Sequence, residues 1–136
     1  MTTQKALIVG ASGGIGQNLV QYLSEQEAWK IVGLSRSQPP LKSTAQFIAV
    51  DLLKRDDVVT KLEKLTDITH IFYTAFYGGP TFSVPVAENL AMLTNVVEAI
   101  EPVAPLLERI VLIQGGKVYG RQIGPFKTPA KGFAEK

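Results

Sequence analysis

Residues 6–16 read ALIVGASGGIG, an apolar run that ends in a loop containing Gly10, Gly13 and Gly16. The chain that follows is apolar at every fourth position and polar between, which is typical of an amphipathic helix: Ile15, Leu19 and Leu23. This stretch therefore predicts a buried strand, a glycine-rich loop and a helix, in that order.

The order of these elements predicts a phosphate-binding turn. Glycine lets the backbone approach a ligand closely, and the free N–H groups and positive dipole end of a helix face an anion. The first βα turn of a dinucleotide-binding sheet has this design. The spacing is G-x-x-G-x-x-G rather than G-x-G-x-x-G, so a tight turn without a ligand remains the alternative. The residues predicted to hold a pyrophosphate are Gly10, Ser12, Gly13, Gly14, Ile15 and Gly16.

The composition indicates a small α/β domain without cysteine or metal chemistry. The chain has 136 residues, 46% of them hydrophobic, which suffices for one core but not for two. It has no cysteine and a single histidine, His70, which we interpret as structural. No apolar run approaches the roughly 20 residues that span a bilayer, and the N-terminus does not resemble a signal peptide. We therefore expect a cytoplasmic protein with no metal and no membrane partner.

The net charge of +2 is unevenly distributed, because residues 117–136 hold five basic residues and one glutamate. A basic segment can attract nucleic acid. These cations are loosely spread, however, and no strand there presents aromatic residues for stacking. An anionic cofactor explains some of them equally well, so we expect no nucleic-acid partner.

Short apolar runs alternate with helical patterns along the rest of the chain. Apolar positions spaced by three and four residues predict a second helix around residues 58–65 and a third over 86–100. Ser83 is the expected cap of the third helix, with Pro85 inside its first turn. No clear helix is predicted in 36–46. Strands are predicted at residues 6–9, 31–34, 47–50, 70–74 and 109–113.

This alternation predicts a doubly wound α/β fold of the Rossmann type. Crossovers between parallel strands are right-handed and place helices on both faces of the sheet. We expect five parallel strands in the order 3-2-1-4-5, forming one NAD(P)-binding domain over residues 1–136. The pattern stops after Gly115, so 117–136 is predicted to be an irregular tail. The chain looks cut short of a substrate-binding domain.

The end of the second strand is expected to select the cofactor. A dinucleotide site carries an acidic residue about 20 residues beyond the glycines when it binds the ribose 2′-hydroxyl of NAD. Ser35, Arg36 and Ser37 occupy that place here. An arginine with hydroxyl neighbours suits a 2′-phosphate, so we predict NADP(H). The alternative is a solvated arginine in a surface loop.

The ends of the third and fourth strands supply further candidate contacts. Asp51 could accept a hydrogen bond from the adenine amino group while Leu52 lines the ring, although Asp51 could instead cap a helix. Thr74, Ala75 and Phe76 would pass beside the ribose and nicotinamide.

The end of the fifth strand is the last candidate region, because ligands of open α/β sheets bind outside the carboxyl ends of the strands. Gln114 and Lys117 would enter this crevice. Lys117 can hydrogen-bond ribose hydroxyls or stabilise an enolate. By its spacing alone, it is equally well a surface lysine.

Together these residues resemble the extended short-chain dehydrogenase/reductase superfamily, and more narrowly the progesterone 5β-reductase and iridoid synthase-like enzymes. The early matching segments are shared across the superfamily, whereas the late Lys-x-Tyr followed by Gly-Pro-Phe is discriminating. The matching positions are residues 10–16, 35–36, 51–52, 69–73, Asn89, Met92, Asn95, 115–119 and 124–126.

The resemblance implies NADPH-dependent reduction of an activated C=C bond in an enone or enal. Hydride goes to the β-carbon, and the resulting enolate is stabilised at its oxygen. The resemblance makes Lys117 catalytic, together with a tyrosine from a later segment that this sequence lacks. This sequence also departs from the family pattern at two positions. Gly115 stands where the superfamily has a catalytic serine, and Ser37 stands where this family has a second arginine. No Tyr-x-x-x-Lys pair is present.

Two alternatives stay open. One is a nucleotide-sugar epimerase or dehydratase of the extended branch, disfavoured by the missing serine. The other is a non-catalytic NADP(H)-binding module or fragment, in which case the 136-residue chain alone is inactive. A small-molecule substrate is the expected partner, and a homodimer is left open.

Overall fold

A computed structural model describes residues 3–39, 42–81 and 85–115. All five strands are parallel, and they form one sheet in the order β3-β2-β1-β4-β5. The Rossmann-type sheet and the strand order predicted from the sequence are confirmed. The elements are β1 (Gln4–Val9), α1 (Gly14–Ser24), β2 (Trp29–Ser35), β3 (Gln46–Ala49), α2 (Arg55–Leu62), β4 (His70–Tyr73), α3 (Val86–Ile100) and β5 (Arg109–Leu112).

The central strand β1 is buried on both faces, as expected for a parallel sheet covered by helices. Successive side chains point to opposite faces. Leu7 and Val9 join the larger core cluster, which contains residues of α2 and α3. Ala6 and Ile8 join the smaller cluster, which contains residues of α1. The carboxyl end of β1 is thereby fixed between two cores, and the glycine loop starts from it.

The start of α3 differs from the prediction. Its N-cap residue is Pro85, so Pro85 does not lie inside the first turn and the expected cap at Ser83 is wrong. Ser83 itself lies outside the described residues. The Pro85 carbonyl accepts the backbone N–H of Asn89 at 3.1 Å and its side-chain Nδ2 at 2.9 Å. The helix begins after Pro85 because that carbonyl accepts the first helical hydrogen bond.

Tyr73, at the end of β4, contains a buried hydroxyl that has no hydrogen-bond partner within the part of the chain that the structure describes. Its side chain is 4% exposed, and burial raises the pKa of the phenol to about 12. A buried polar group without a partner costs about 1–3 kcal/mol. We therefore expect Tyr73→Phe to raise the free energy of unfolding by about 1 kcal/mol, measured by urea denaturation at neutral pH.

The same residue predicts a pH dependence. Because the phenol ionises near pH 10 when unfolded but near 12 when folded, its ionisation does not affect stability below about pH 10 and lowers the free energy of unfolding as the pH rises toward 12. Tyr73→Phe should remove this part of the alkaline loss. Tyr22→Phe, at an exposed tyrosine on α1, is the control. A Tyr73→Phe protein that is less stable than the Tyr22→Phe control would mean that the hydroxyl has a partner.

Candidate functional site

A cleft of about 460 Å³ lies at the carboxyl ends of four adjacent strands, β3, β2, β1 and β4. This volume falls in the range of small-molecule and cofactor sites. Ten of the residues predicted from the sequence line it, and they lie at or just after the ends of these four strands: Gly10, Ser12, Gly13, Ser35, Arg36, Asp51, Leu52, Thr74, Ala75 and Phe76.

The remaining predicted residues do not line this cleft. Gly14, Ile15 and Gly16 form the first turn of α1 beside it, and Ser37 is exposed beyond the end of β2. Gln114 is exposed after β5 and is not brought together with the others. Lys117 lies outside the described residues.

Two glycines of the loop are required by packing. Gly10 has φ +87°, and a Cβ there would lie 2.7 Å from the backbone nitrogen of Ala75. A Cβ on Gly16 would lie 2.0 Å from the carbonyl oxygen of Gly10. These positions let β1, the loop and α1 approach one another.

The other two glycines have a different environment. A Cβ on Gly13 would have ordinary contact with the Gly10 carbonyl, and a Cβ on Gly14 would meet nothing within 4 Å. The space in front of Gly14 is therefore open. Glycine in that position leaves room for a group that is not part of this chain.

Several loop amides are already used within the protein. The N–H groups of Gly10 and Ala11 both donate to the Leu34 carbonyl, at 3.0 and 2.9 Å, and the Gly13 N–H donates to Gly10 at 3.1 Å. Gln17 donates to the Gly13 carbonyl at 2.8 Å, which is the first hydrogen bond of α1. The first N–H groups of a helix have no partner within it. The donors that remain for a ligand are the backbone N–H groups of Ser12, Gly14, Ile15 and Gly16.

The N-terminus of α1 is also electrostatically uncompensated. Its first turn contains no acidic residue, whereas α2 has Asp56 and Asp57 there and α3 has Glu88. A helix N-terminus carries about half a positive charge, which nearby carboxylates stabilise. Among the described helices, α1 is thus the one whose positive end is left for an external anion.

At the end of β2, the serine and the arginine differ in what they can offer. Ser35 is buried, and its hydroxyl donates to the carbonyl oxygen of Ser37. That proton is therefore not available to a ligand. Arg36 is exposed, lines the cleft and forms no ion pair with any residue that the structure describes. Its guanidinium is free to bind an anion.

The loop after β3 is held by residues that the sequence analysis did not single out for this role. The Asp51 N–H donates to Asp57 Oδ2 at 2.9 Å, and Asp51 Oδ1 accepts the N–H of Leu53 at 3.1 Å. The Asp51 N–H, followed by Lys61, lowers the pKa of Asp57. Because the N-cap of α2 is Lys54, Asp51 forms a turn before the helix rather than capping it.

After β4, Thr74 supports the glycine loop. Its hydroxyl donates to the Val9 carbonyl at 2.8 Å and lies 3.3 Å from the carbonyl oxygen of Gly10. Thr74 therefore fixes the glycine loop in addition to lining the cleft. Phe76 is 67% exposed at the cleft, which suits a side chain that contacts a ligand.

Five further residues line the cleft but were not predicted from the sequence to do so. Four of them are aliphatic or thioether side chains that the sequence pattern assigns only to the core or to its edge. Met92 had a signal, since it belongs to the segment that carries the family resemblance. The missed residues are Leu34, Val50, Leu53, Tyr77 and Met92.

Comparison with known proteins identifies the family. The sequence profile described as the NAD dependent epimerase/dehydratase family matches residues 6–133. The chain belongs to this family. The resemblance to extended short-chain dehydrogenases and reductases is confirmed. The family is named for its dependence on NAD.

Two curated relatives illustrate the similarity. An (S)-8-oxocitronellyl enol synthase of Camptotheca acuminata is 36% identical over 133 residues, covering 93% of this chain and 33% of the relative. A 3-oxo-Δ(4,5)-steroid 5β-reductase of Arabidopsis thaliana is 34% identical over 128 residues, covering 89% of this chain and 32% of the relative. The chain spans about a third of the length of these curated relatives.

Two solved structures agree with the fold. A UDP-glucuronic acid 4-epimerase of Bacillus cereus, in complex with NAD and a UDP-sugar, has a TM-score of 0.69 and 26% identity, covering 96% of this chain and 46% of the epimerase. An aldohexose dehydrogenase of Thermoplasma acidophilum has a TM-score of 0.69 at 18% identity, covering 95% of this chain and 54% of the dehydrogenase. A likeness at this identity shows the fold alone.

Two kinds of feature are absent from the described residues. Residues 3–39, 42–81 and 85–115 contain no helix that is long and apolar enough to cross a bilayer. The same residues contain no group of three or more histidine, cysteine or acidic side chains placed to hold a metal ion.

Proposed function

We propose that the cleft binds NADP(H), and that the protein to which this chain belongs reduces the activated C=C bond of a small enone or enal. One observation carries the cofactor assignment. The free guanidinium of Arg36 lines the same cleft as the loop that leads into the uncompensated N-terminus of α1. Two positive groups at separate places in one cleft suit a ligand with two separate phosphate groups.

In this proposal each loop has one task. The free N–H groups of Ser12, Gly14 and Ile15 donate to the pyrophosphate, with the positive end of α1 behind them. Arg36 binds the 2′-phosphate in a charge-assisted contact. Leu52 packs against the adenine ring at the other end of the cleft from Phe76, which faces the nicotinamide half.

The reaction class is supported by the relatives named as an enol synthase and a steroid 5β-reductase. When bound, NADPH supplies the hydride for the β-carbon of the substrate. The electron pair of the C=C bond shifts toward the carbonyl oxygen, and a proton from water at the α-carbon completes the reduction. Lys117 donates a hydrogen bond to the developing enolate oxygen, which lowers the energy of the transition state.

Substitution of Lys117 tests this role. In the protein that contains this chain, Lys117→Ala should lower kcat for enone reduction about a hundredfold, as expected when one donor to an oxyanion is lost. NADPH consumption at saturating substrate is the measurement. Lys64→Ala, at an exposed lysine after α2, serves as the control. Unchanged turnover in Lys117→Ala would remove Lys117 from the mechanism.

A second candidate function is favoured by the NAD-bound epimerase, whose fold matches this chain at 26% identity. An epimerase returns its hydride to the substrate, so it converts a nucleotide sugar without net consumption of cofactor. An enone reductase oxidises one NADPH for each substrate. Net NADPH consumption with an enone, and none with a UDP-sugar, supports reduction. Binding of NADPH without turnover of either substrate would indicate a non-catalytic module.

A further inference from the structure

Three side chains form a ridge on helix α3, and the middle one lines the cleft. Asn89, Met92 and Asn95 follow one another at intervals of three residues, so that each lies beside the next on the helix surface. Met92 lines the cleft itself. The asparagines on either side of it contact the backbone of two different cleft loops.

Asn89 holds the loop after β4. Its Oδ1 accepts the backbone N–H of Tyr77 at 2.9 Å, and its Nδ2 donates to the Tyr77 carbonyl at 2.8 Å. The side-chain amide therefore pairs with Tyr77 as a neighbouring strand would. Tyr77 lies beyond the end of β4, where no sheet hydrogen bond from another described residue fixes the backbone.

Asn95 holds the loop after β3. Its Nδ2 donates to the Leu52 carbonyl at 2.8 Å, and its side chain lies in the buried part of α3. Leu52 is 43 residues away in the sequence. Buried polar groups are costly unless they are paired, so this contact fixes the distance between α3 and the Leu52 loop.

The two contacts lie at opposite halves of the cleft. The loop after β3 follows the strand next to β2, on the side where Arg36 lies, whereas β4 is on the other side of β1. With the pyrophosphate at the glycine loop, the first side receives adenosine and the second receives nicotinamide. A single helix therefore holds both walls through separate side chains.

We propose that Asn95 and Asn89 are positioning residues that set the two halves of the cofactor site independently, Asn95 for adenosine and Asn89 for nicotinamide. This inference rests on the proposed binding of NADP(H). It goes beyond that proposal because neither asparagine lines the cleft.

The test measures each half of the cofactor separately. Affinity for 2′,5′-ADP reports the adenosine half, and the fluorescence of bound NADPH reports the surroundings of the nicotinamide. Asn95→Ala should lower the affinity for 2′,5′-ADP about five- to tenfold, the range expected for one hydrogen bond. Bound NADPH should keep the wild-type fluorescence emission. Asn89→Ala should leave 2′,5′-ADP affinity within about twofold and change the NADPH emission. Thr94→Ala, also on α3, is the control.

The outcomes separate two failures. If the wild-type protein binds neither 2′,5′-ADP nor NADPH, the proposed function is wrong. If it binds both, but the two variants change both readouts alike or change neither, the inference about the asparagines is wrong. Should Asn95→Ala fail to fold, the NMR signals of the asparagine side-chain amides in the wild-type protein provide the test instead. Binding of 2′,5′-ADP should then shift the Asn95 signals and leave those of Asn89 in place, whereas equal shifts contradict the inference.

Discussion

Gly16→Ala is expected to lower the free energy of unfolding by about 3 kcal/mol or more, and to abolish dinucleotide binding in any protein that still folds. The added Cβ would lie 2.0 Å from the Gly10 carbonyl oxygen and 3.0 Å from the Ala11 Cα. Both neighbours are backbone, so no side-chain rotation relieves the clash. Either α1 moves away from β1, or the loop loses the shape that exposes its N–H groups. Urea denaturation and NADPH titration measure the two effects.

Gly14→Ala is the matched control for this prediction. Gly14 lies in the same turn, two residues earlier, and its Cβ would meet nothing within 4 Å. Alanine also has a better helix propensity than glycine. We therefore expect Gly14→Ala to keep the wild-type stability or to raise it slightly. Equal losses in the two variants would mean that the close approach of α1 to the loop does not limit stability.

Arg36→Glu is expected to reverse the proposed preference for NADP(H) over NAD(H). A charge-assisted hydrogen bond contributes about 1.5–3 kcal/mol, so its loss costs on the order of ten- to a hundredfold in affinity. The introduced carboxylate also repels the 2′-phosphate and can accept the 2′-hydroxyl of NAD(H). Affinity for NADPH should thus fall about a hundredfold, while NADH binds as well or better. Parallel fluorescence titrations measure both affinities.

The control for Arg36→Glu is the same charge change at a nearby cation. Lys42 is exposed in the loop after β2, and it lines a groove beside α1 rather than the cleft. Lys42→Glu should alter both affinities alike and only slightly, because Lys42 does not line the cleft and salt screens the interactions of exposed charges. If the two variants lower NADPH affinity equally, Arg36 has no direct contact with the 2′-phosphate.

The glycines of the loop lie in two different environments. Gly10 and Gly16 are needed because neighbouring backbone occupies the space of a Cβ, whereas Gly14 faces open space. A sequence pattern of glycines cannot distinguish these roles, since each depends on atoms from another element. The structure separates glycines required for folding from those that only a ligand would require.

The sequence alone was sufficient for the sheet, its order and the edge at which the cleft lies. Apolar runs of strand length alternating with helical periodicity restrict the fold to a parallel sheet, because crossovers are right-handed and helices cover both faces. Parallel strands bring their carboxyl ends to one edge, so Gly10, Arg36, Asp51 and Thr74 could be expected to meet there without any coordinates. These features follow from local patterns and from the chirality of the chain.

Only the tertiary structure decided which groups at that edge remain free. The amides of Gly10 and Ala11 are occupied by Leu34, and Asn95 reaches Leu52 across 43 residues. The Ser35 proton is occupied by the Ser37 carbonyl, while Arg36 next to it has no ion-pair partner among the described residues. Periodicity and spacing indicate which face of an element a residue occupies. They do not specify its hydrogen-bond partner, because that partner is fixed by how distant segments pack.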